Sequence, residues 1–166
     1  VTFIENVEEL NADNLKNFEL LVILRDGMNW PNGYAKEPVK WMTDAQQKAI
    51  WDFVNSGGGF LALHNAQGIY PPGGLYYKLF GGDYGGHPKP YVFTVRNEDK
   101  NHPITSGVED YSMFDEQHTV KYYLDREHLL LRVHGEHVVS HGYRSSSVTF
   151  GAKLPGRPAR YRRPRR

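Results

Sequence analysis

Residues 42–66 read MTDAQQKAIWDFVNSGGGFLALHNA, and the order of signals in this stretch decides the fold. Thr43 followed at three residues by Gln46 is a capping box, in which each side chain can satisfy the other's backbone N–H. The helix it opens is expected from about Asp44 to Asn55, with Ala45, Ala49, Ile50, Phe53 and Val54 on one face. Gly57 stands where a left-handed residue stops a helix. After the glycines, Phe60 to Leu63 is a short apolar strand that ends at His64-Asn65-Ala66. Upstream, Phe18 to Leu24 reads FELLVIL, a run expected to form a strand buried on both faces. It breaks at Arg25-Asp26-Gly27. Strand, helix, glycine turn and strand make a βαβ unit, so a parallel sheet is expected.

Outward from this unit the signals weaken. Val1 to Ile4 is a candidate strand, and Glu8 to Leu15 a short helix or turn containing the poor helix formers Asn11 and Asp13. Pro31, Gly33 and Pro38 make Met28–Trp41 a loop. Leu75 to Phe80 is a candidate helix, and Tyr91 to Arg96 (YVFTVR) and Leu129 to Val133 are candidate strands. Asn101 to Gly107 is rich in turn formers.

The 166 residues suggest one domain with a sizeable core. Cysteine is absent, which excludes disulfides, thiolate catalysis and cysteine-based metal sites. No apolar run approaches a membrane span. The start, VTFIENVEEL, has no basic region or apolar core like a secretory signal, and it has no initiator Met, so the chain reads as a fragment with a cytoplasmic location. There are 20 basic and 19 acidic side chains, but Lys153 and six Arg fall in residues 153–166, which contain no acid. The first 152 residues thus hold 13 basic against 19 acidic side chains, a net of −6. An acidic body argues against nucleic-acid binding. The chain divides into an α/β domain over 1–152 and a basic tail over 153–166, expected to be disordered.

Three clusters can carry chemistry. His64 lies just past a parallel strand, where open α/β sheets bind ligands, and can serve as base or metal ligand. Its bland alternative is a loop histidine bonded to backbone. Phe80 to Pro88, FGGDYGGHP, offers glycine backbone such as Gly82 for close approach, with Asp83, Tyr84 and His87 nearby. The alternative is a flexible loop. Asp115-Glu116-Gln117-His118 could hold a divalent metal or perform acid–base work. On a strand Glu116 and His118 would share a face, and the alternative is a solvated edge. Asp26 is a secondary candidate at the end of its strand. His102 precedes Pro103 in a turn and is expected to be structural. His134, His137 and His141 have helical spacing, but Gly135, Gly142 and Val138-Val139 argue against a metal site there. Serine-hydrolase elbows, Walker motifs and H-E-x-x-H are missing.

LLVILRDG (20–27), the stretch 42–66, YKLFGGDYGGHP (77–88), VRNEDKNHPITSGVEDY (95–111) and DEQH (115–118) together resemble the ThuA-like (trehalose-utilisation) family, in its order, over roughly residues 18 to 133. The resemblance implies a flavodoxin-like parallel sheet with helices on both faces, related to class I glutamine amidotransferases. The chain departs from the family at both ends, so that sheet is expected to be incomplete there. Where those relatives place a nucleophilic Cys, this chain has His64, so amidotransferase chemistry does not carry over. The resemblance implies a small-molecule sugar or keto-sugar ligand. His64 and Glu116 are then the catalytic candidates. Asp26, Gly82, Tyr84 and His87 are the substrate-binding candidates, and His64, His87, Glu116 and His118 would hold a zinc-like divalent metal. Tyr70, Tyr76, Tyr77 and Tyr84 are available as aromatic walls for the sugar. Metal-assisted isomerisation or hydrolysis is the expected chemistry. The alternatives are a non-catalytic carbohydrate-binding or interaction domain, or an inactive gene fragment; a homo-oligomer is a further expected partner.

Overall fold

The structure is a computed structural model that describes residues 1–123, 131–134 and 147–148. Chain order gives a 3-10 turn Val7–Glu9, α1 (Ala12–Leu15), β1 (Leu20–Ile23), β2 (Met28–Asn29), β3 (Val39–Lys40) and α2 (Asp44–Asn55). Then follow β4 (Gly59–Ala62), a 3-10 turn His64–Gln67, α3 (Leu75–Phe80), β5 (Gly82–Gly86) and β6 (Tyr91–Asn97). The last elements are β7 (Tyr111–Asp115), β8 (Thr119–Tyr122), β9 (Leu131–His134) and β10 (Ser147–Val148). No helix among the described residues is long and apolar enough to cross a membrane.

The βαβ unit forms as its sequence dictates. β1 and β4 pair in parallel, with Leu20 opposite Gly59 and Ile23 opposite Ala62. Helix α2 has the reciprocal Thr43–Gln46 box, and Gly57 adopts φ 108° just past its end. Gln46 also donates from Nε2 to the Val7 carbonyl at 2.5 Å, which fastens the N-terminal segment to the helix start. Ala49, Ile50 and Phe53 are buried as the periodicity demands, but Ala45 is exposed and Gln47 is buried instead. Gln47 Oε1 accepts the Tyr76 N–H at 3.2 Å, capping α3, whose own N-cap Gly74 has no side chain to do so.

The remaining strands pair antiparallel, giving a mixed α/β architecture. β5 pairs with β8, and β10-β9-β6-β7 form a four-stranded sheet. The expected larger parallel sheet with helices on both faces is therefore not assembled among the described residues. The burial of β6 explains why: Phe93 and Val95 point inward between exposed Val92 and half-exposed Thr94. Such alternation suits an antiparallel sheet with one wet face. Two cores result. Leu15, Ile23, Ile50, Phe53, Tyr70, Tyr76 and Leu79 belong to the first, and Phe93, Val95, Leu131 and Val133 form the second.

Other expectations need correction. Val1 to Ile4 forms no strand, and its residues are exposed. The FELLVIL run is covered on one face only: Leu20 is 54% exposed, Val22 48% and Leu24 67%. Ile23, on the other face, is buried in the same cluster as Ile50 and Phe53. Asn11 does not weaken α1 but caps it, accepting the Asn14 N–H at 3.0 Å. Within FGGDYGGHP, Gly82–Gly86 form β5, while Phe80 ends α3 and His87-Pro88 follow the strand. A Cβ on Gly82 would lie 2.6 Å from the Lys121 carbonyl oxygen, so glycine is what lets β5 approach β8 there.

Candidate functional site

β4 runs out at Ala62, and the chain turns abruptly at His64, which adopts φ 45°. That conformation costs a non-glycine residue on the order of 1 kcal/mol or more. The imidazole stays half-exposed beside Asp115. The Asn65 amide oxygen accepts a hydrogen bond from His64 Nδ1, leaving Nε2 to face outward. Nε2 lies 3.8 Å from Asp115 Oδ1.

Asp115 ends β7, and Glu116, Gln117 and His118 span the break before β8. Because these residues leave the strand, the alternation of sides does not hold, and Asp115, Glu116 and His118 all reach His64 or its neighbours. The Asp115 carboxylate also accepts the Glu116 N–H at 2.8 Å, which stiffens the break. The His118 ring meets those of His64, Tyr84 and His87 at centroid separations of 5.2, 5.2 and 5.5 Å. His87 donates from Nδ1 to the Pro88 carbonyl at 2.9 Å. In the neutral ring this puts the lone pair on Nε2, which lies 3.7 Å from Glu116 Oε2. Glu116 Oε2 is also 4.0 Å from His118 Nε2.

The electrostatics favour neutral imidazole at the centre. Burial, then the neighbouring His64 and His87, hold His118 below the usual histidine range, only partly offset by Glu116 and Asp115. Burial, with the Glu116 charge beside it, pushes the Tyr84 phenol up to about 12, so it stays protonated at neutral pH. His64, Glu116 and His118 can each offer one ligand atom, all within 4.8 Å of one another. Two imidazoles and a carboxylate match the donor set of three-ligand catalytic zinc sites, which leave a position open. Beside them lies a half-open cavity of about 230 Å³, lined by Gln67, Asp115 and Gln117 as well as by Phe80, Phe93 and Met113.

Of the residues singled out by sequence, His64, Tyr84, His87, Glu116 and His118 converge. Asp26 sits at the end of β1, but its carboxylate accepts the Met28 N–H at 3.0 Å within its own turn. Gly82 is buried in the β5–β8 contact. Tyr70, Tyr76 and Tyr77 cannot wall a sugar: they are buried in the first core, where Tyr76 donates to the Ala66 carbonyl at 2.7 Å. Asn65, Asp115 and the Pro88 carbonyl were not anticipated in their orienting roles; only their adjacency to His64, Glu116 and His87 hinted at them. His102 accepts the Ile104 N–H within its turn, as expected of a structural residue. His137, His141 and residues 153–166 lie outside the described residues, as does the side chain of His134.

Known proteins frame this arrangement. A solved structure of a putative ThuA-like protein from Bacteroides uniformis ATCC 8492 is similar in fold, with a TM-score of 0.58 at 17% identity over 89% of this chain. The chain spans 58% of that structure's length. No curated protein matches the chain. The sequence profile described as ThuA, trehalose utilisation, matches residues 1–155. With that match over nearly its whole length, the chain belongs to the ThuA (trehalose-utilisation) family.

Proposed function

We propose that this chain acts on a sugar or keto-sugar at the His64–Glu116–His118 cluster, in a metal-assisted isomerisation or hydrolysis. The observation that carries the reading is the convergence of these three donors, from two separate parts of the chain, on the rim of one cavity. A zinc-like ion bound there would polarise a substrate carbonyl or activate water. The chain's own groups supply the rest. His87, whose Nδ1–H is held by the Pro88 carbonyl, turns Nε2 toward Glu116 as the proton acceptor. The Tyr84 phenol donates a hydrogen bond. Glu116, between His87 and His118, joins the ligand set to this proton path. Asn65 fixes the His64 tautomer, as partners of metal-bound histidines do. The β1–α2–β4 unit, with its site at the carboxyl ends of both strands, supports reading the frame as part of a flavodoxin-like sheet.

Calorimetric titration of the 166-residue chain with Zn²⁺, followed by assay against trehalose and its keto derivatives, tests this. Expected are saturable zinc binding that is lost in His64→Ala and Glu116→Gln, and turnover that depends on the same residues. Zinc binding unchanged in both variants would overturn the assignment. Saturable sugar binding without turnover would favour a non-catalytic carbohydrate-binding domain.

A further inference from the structure

Among the described residues, two that are not glycine hold a left-handed backbone: His64 at φ 45° and Ile69 at φ 50°. They bracket the turn that sets the His64 ring against that of His118 and brings Gln67 to the cavity. A β-branched residue such as Ile is a marked outlier in this region. Such strain persists only where surrounding contacts over-determine it. Those contacts come from two directions. On the β1 side, the Leu63 N–H donates to the Ile23 carbonyl and the Gly27 N–H to the Gly68 carbonyl, both at 2.9 Å. A Cβ on Gly27 would lie 2.3 Å from the Ile69 carbonyl oxygen, so only glycine lets the turn close there. On the α3 side, the Tyr76 hydroxyl donates to the Ala66 carbonyl at 2.7 Å, and the Tyr77 hydroxyl accepts the Tyr70 N–H at 3.0 Å. Tyr76, Tyr77, Ala66 and Tyr70 are all buried, so water cannot stand in for either bond. Burial also holds the Tyr76 phenol well above the usual tyrosine range, which keeps it a donor.

We infer that Tyr76 and Tyr77 are positioning residues, whose two hydroxyls latch the 64–70 segment in the strained form that holds the His64 ring against His118. Tyr76 fastens the chain two residues past His64, and Tyr77 fastens it one residue past Ile69. Each strained residue thus has an anchor from α3 close behind it. Without the latch His64 relaxes to a negative φ, and its ring leaves His118. These tyrosines serve the site from inside the core. The inference rests on the proposed function only in taking His64 as a site residue; the ring geometry belongs to the chain itself.

The test reads that geometry without metal or sugar. With isotope-labelled histidine in the 166-residue chain, a nuclear Overhauser contact is expected between the His64 and His118 rings. Tyr76→Phe keeps the ring packing, removes the hydroxyl and is expected to weaken that contact severalfold. Ile50→Val trims the same core on α2, away from the turn, and is expected to keep it. Ile69→Gly added to Tyr76→Phe is expected to restore most of it, because glycine takes a positive φ without strain. A contact absent from the parent, retained in Tyr76→Phe, lost in Ile50→Val or left unrestored by Ile69→Gly would overturn the latch. Should Tyr76→Phe not fold, Tyr77→Phe carries the same expectation and the same reversal. Zinc affinity of Tyr76→Phe is expected to fall about tenfold, as on losing an orienting partner of a ligand. A lost ring contact with undiminished zinc binding, or a parent that binds no zinc, would sink the proposed function and leave the latch standing on the ring contact.

Discussion

The rings of His64 and His118 meet edge-on with centroids 5.2 Å apart, although one follows a parallel strand and the other precedes an antiparallel one. This contact joins the two halves of the architecture at the site. His118 is the more enclosed of the pair, and its held-down basicity keeps a lone pair available at neutral pH. His118→Ala is therefore expected to weaken zinc binding by about a hundredfold or more, since loss even of an outlying partner of a zinc ligand costs 10–100-fold. Calorimetric titration measures the loss. A melting temperature within a few degrees of the parent's would show that the fold persists.

His64 combines a functional side chain with a backbone conformation that disfavours it. His64→Gly relieves that conformation, and the gain exceeds the added freedom of the unfolded glycine only modestly. The expected outcome is a stability increase of about 0.5–1 kcal/mol in urea unfolding, together with loss of zinc binding. A destabilised variant would show that the imidazole's contact with Asn65 outweighs the strain.

Gln47 is 2% exposed and caps the start of α3 from another helix. Gln47→Leu keeps similar bulk but leaves the buried Tyr76 N–H without its acceptor. The expected cost is about 1–3 kcal/mol, read from the denaturant midpoint.

Alkaline stability follows from the buried phenols. Burial holds Tyr70 and Tyr76 well above the usual tyrosine range. Above about pH 10 the unfolded chain loses these protons while the native state keeps them, so the unfolded state gains stability. The contribution is complete below pH 10 and declines as pH rises beyond it. Urea midpoints measured from neutral to strongly alkaline pH should fall, and Tyr76→Phe should flatten the fall.

Some of this was legible in the residues and some was not, for physical reasons. The Thr43–Gln46 box and Gly57 act locally, so α2 could be placed to the residue. His64 was legible because a strand's end and its turn are adjacent in sequence. Glu116 Oε2 and His118 Nε2 lie 4.0 Å apart, yet not through the strand alternation that pairs them in sequence, because the chain leaves β7 at Asp115. The burial of Tyr70, Tyr76 and Tyr77 was not legible, because polar-tipped aromatics suit a binding wall and a core equally well. Gly82 looked like ligand-facing backbone because the close approach of Lys121 depends on a pairing distant in sequence. The antiparallel sheet was missed because YVFTVR shows strand character without stating its partner's direction.

The bare side of β1 has a practical consequence. Leu20 and Val22 of β1, with Leu24 just beyond it, form an alternating oily row, and the described pairing of β1 is with β4 alone. Such a row templates strand addition between molecules, so crowding the preparation will drive it toward precipitates. A single lysine written into that row, as in Val22→Lys, should act as a gatekeeper and keep concentrated samples clear.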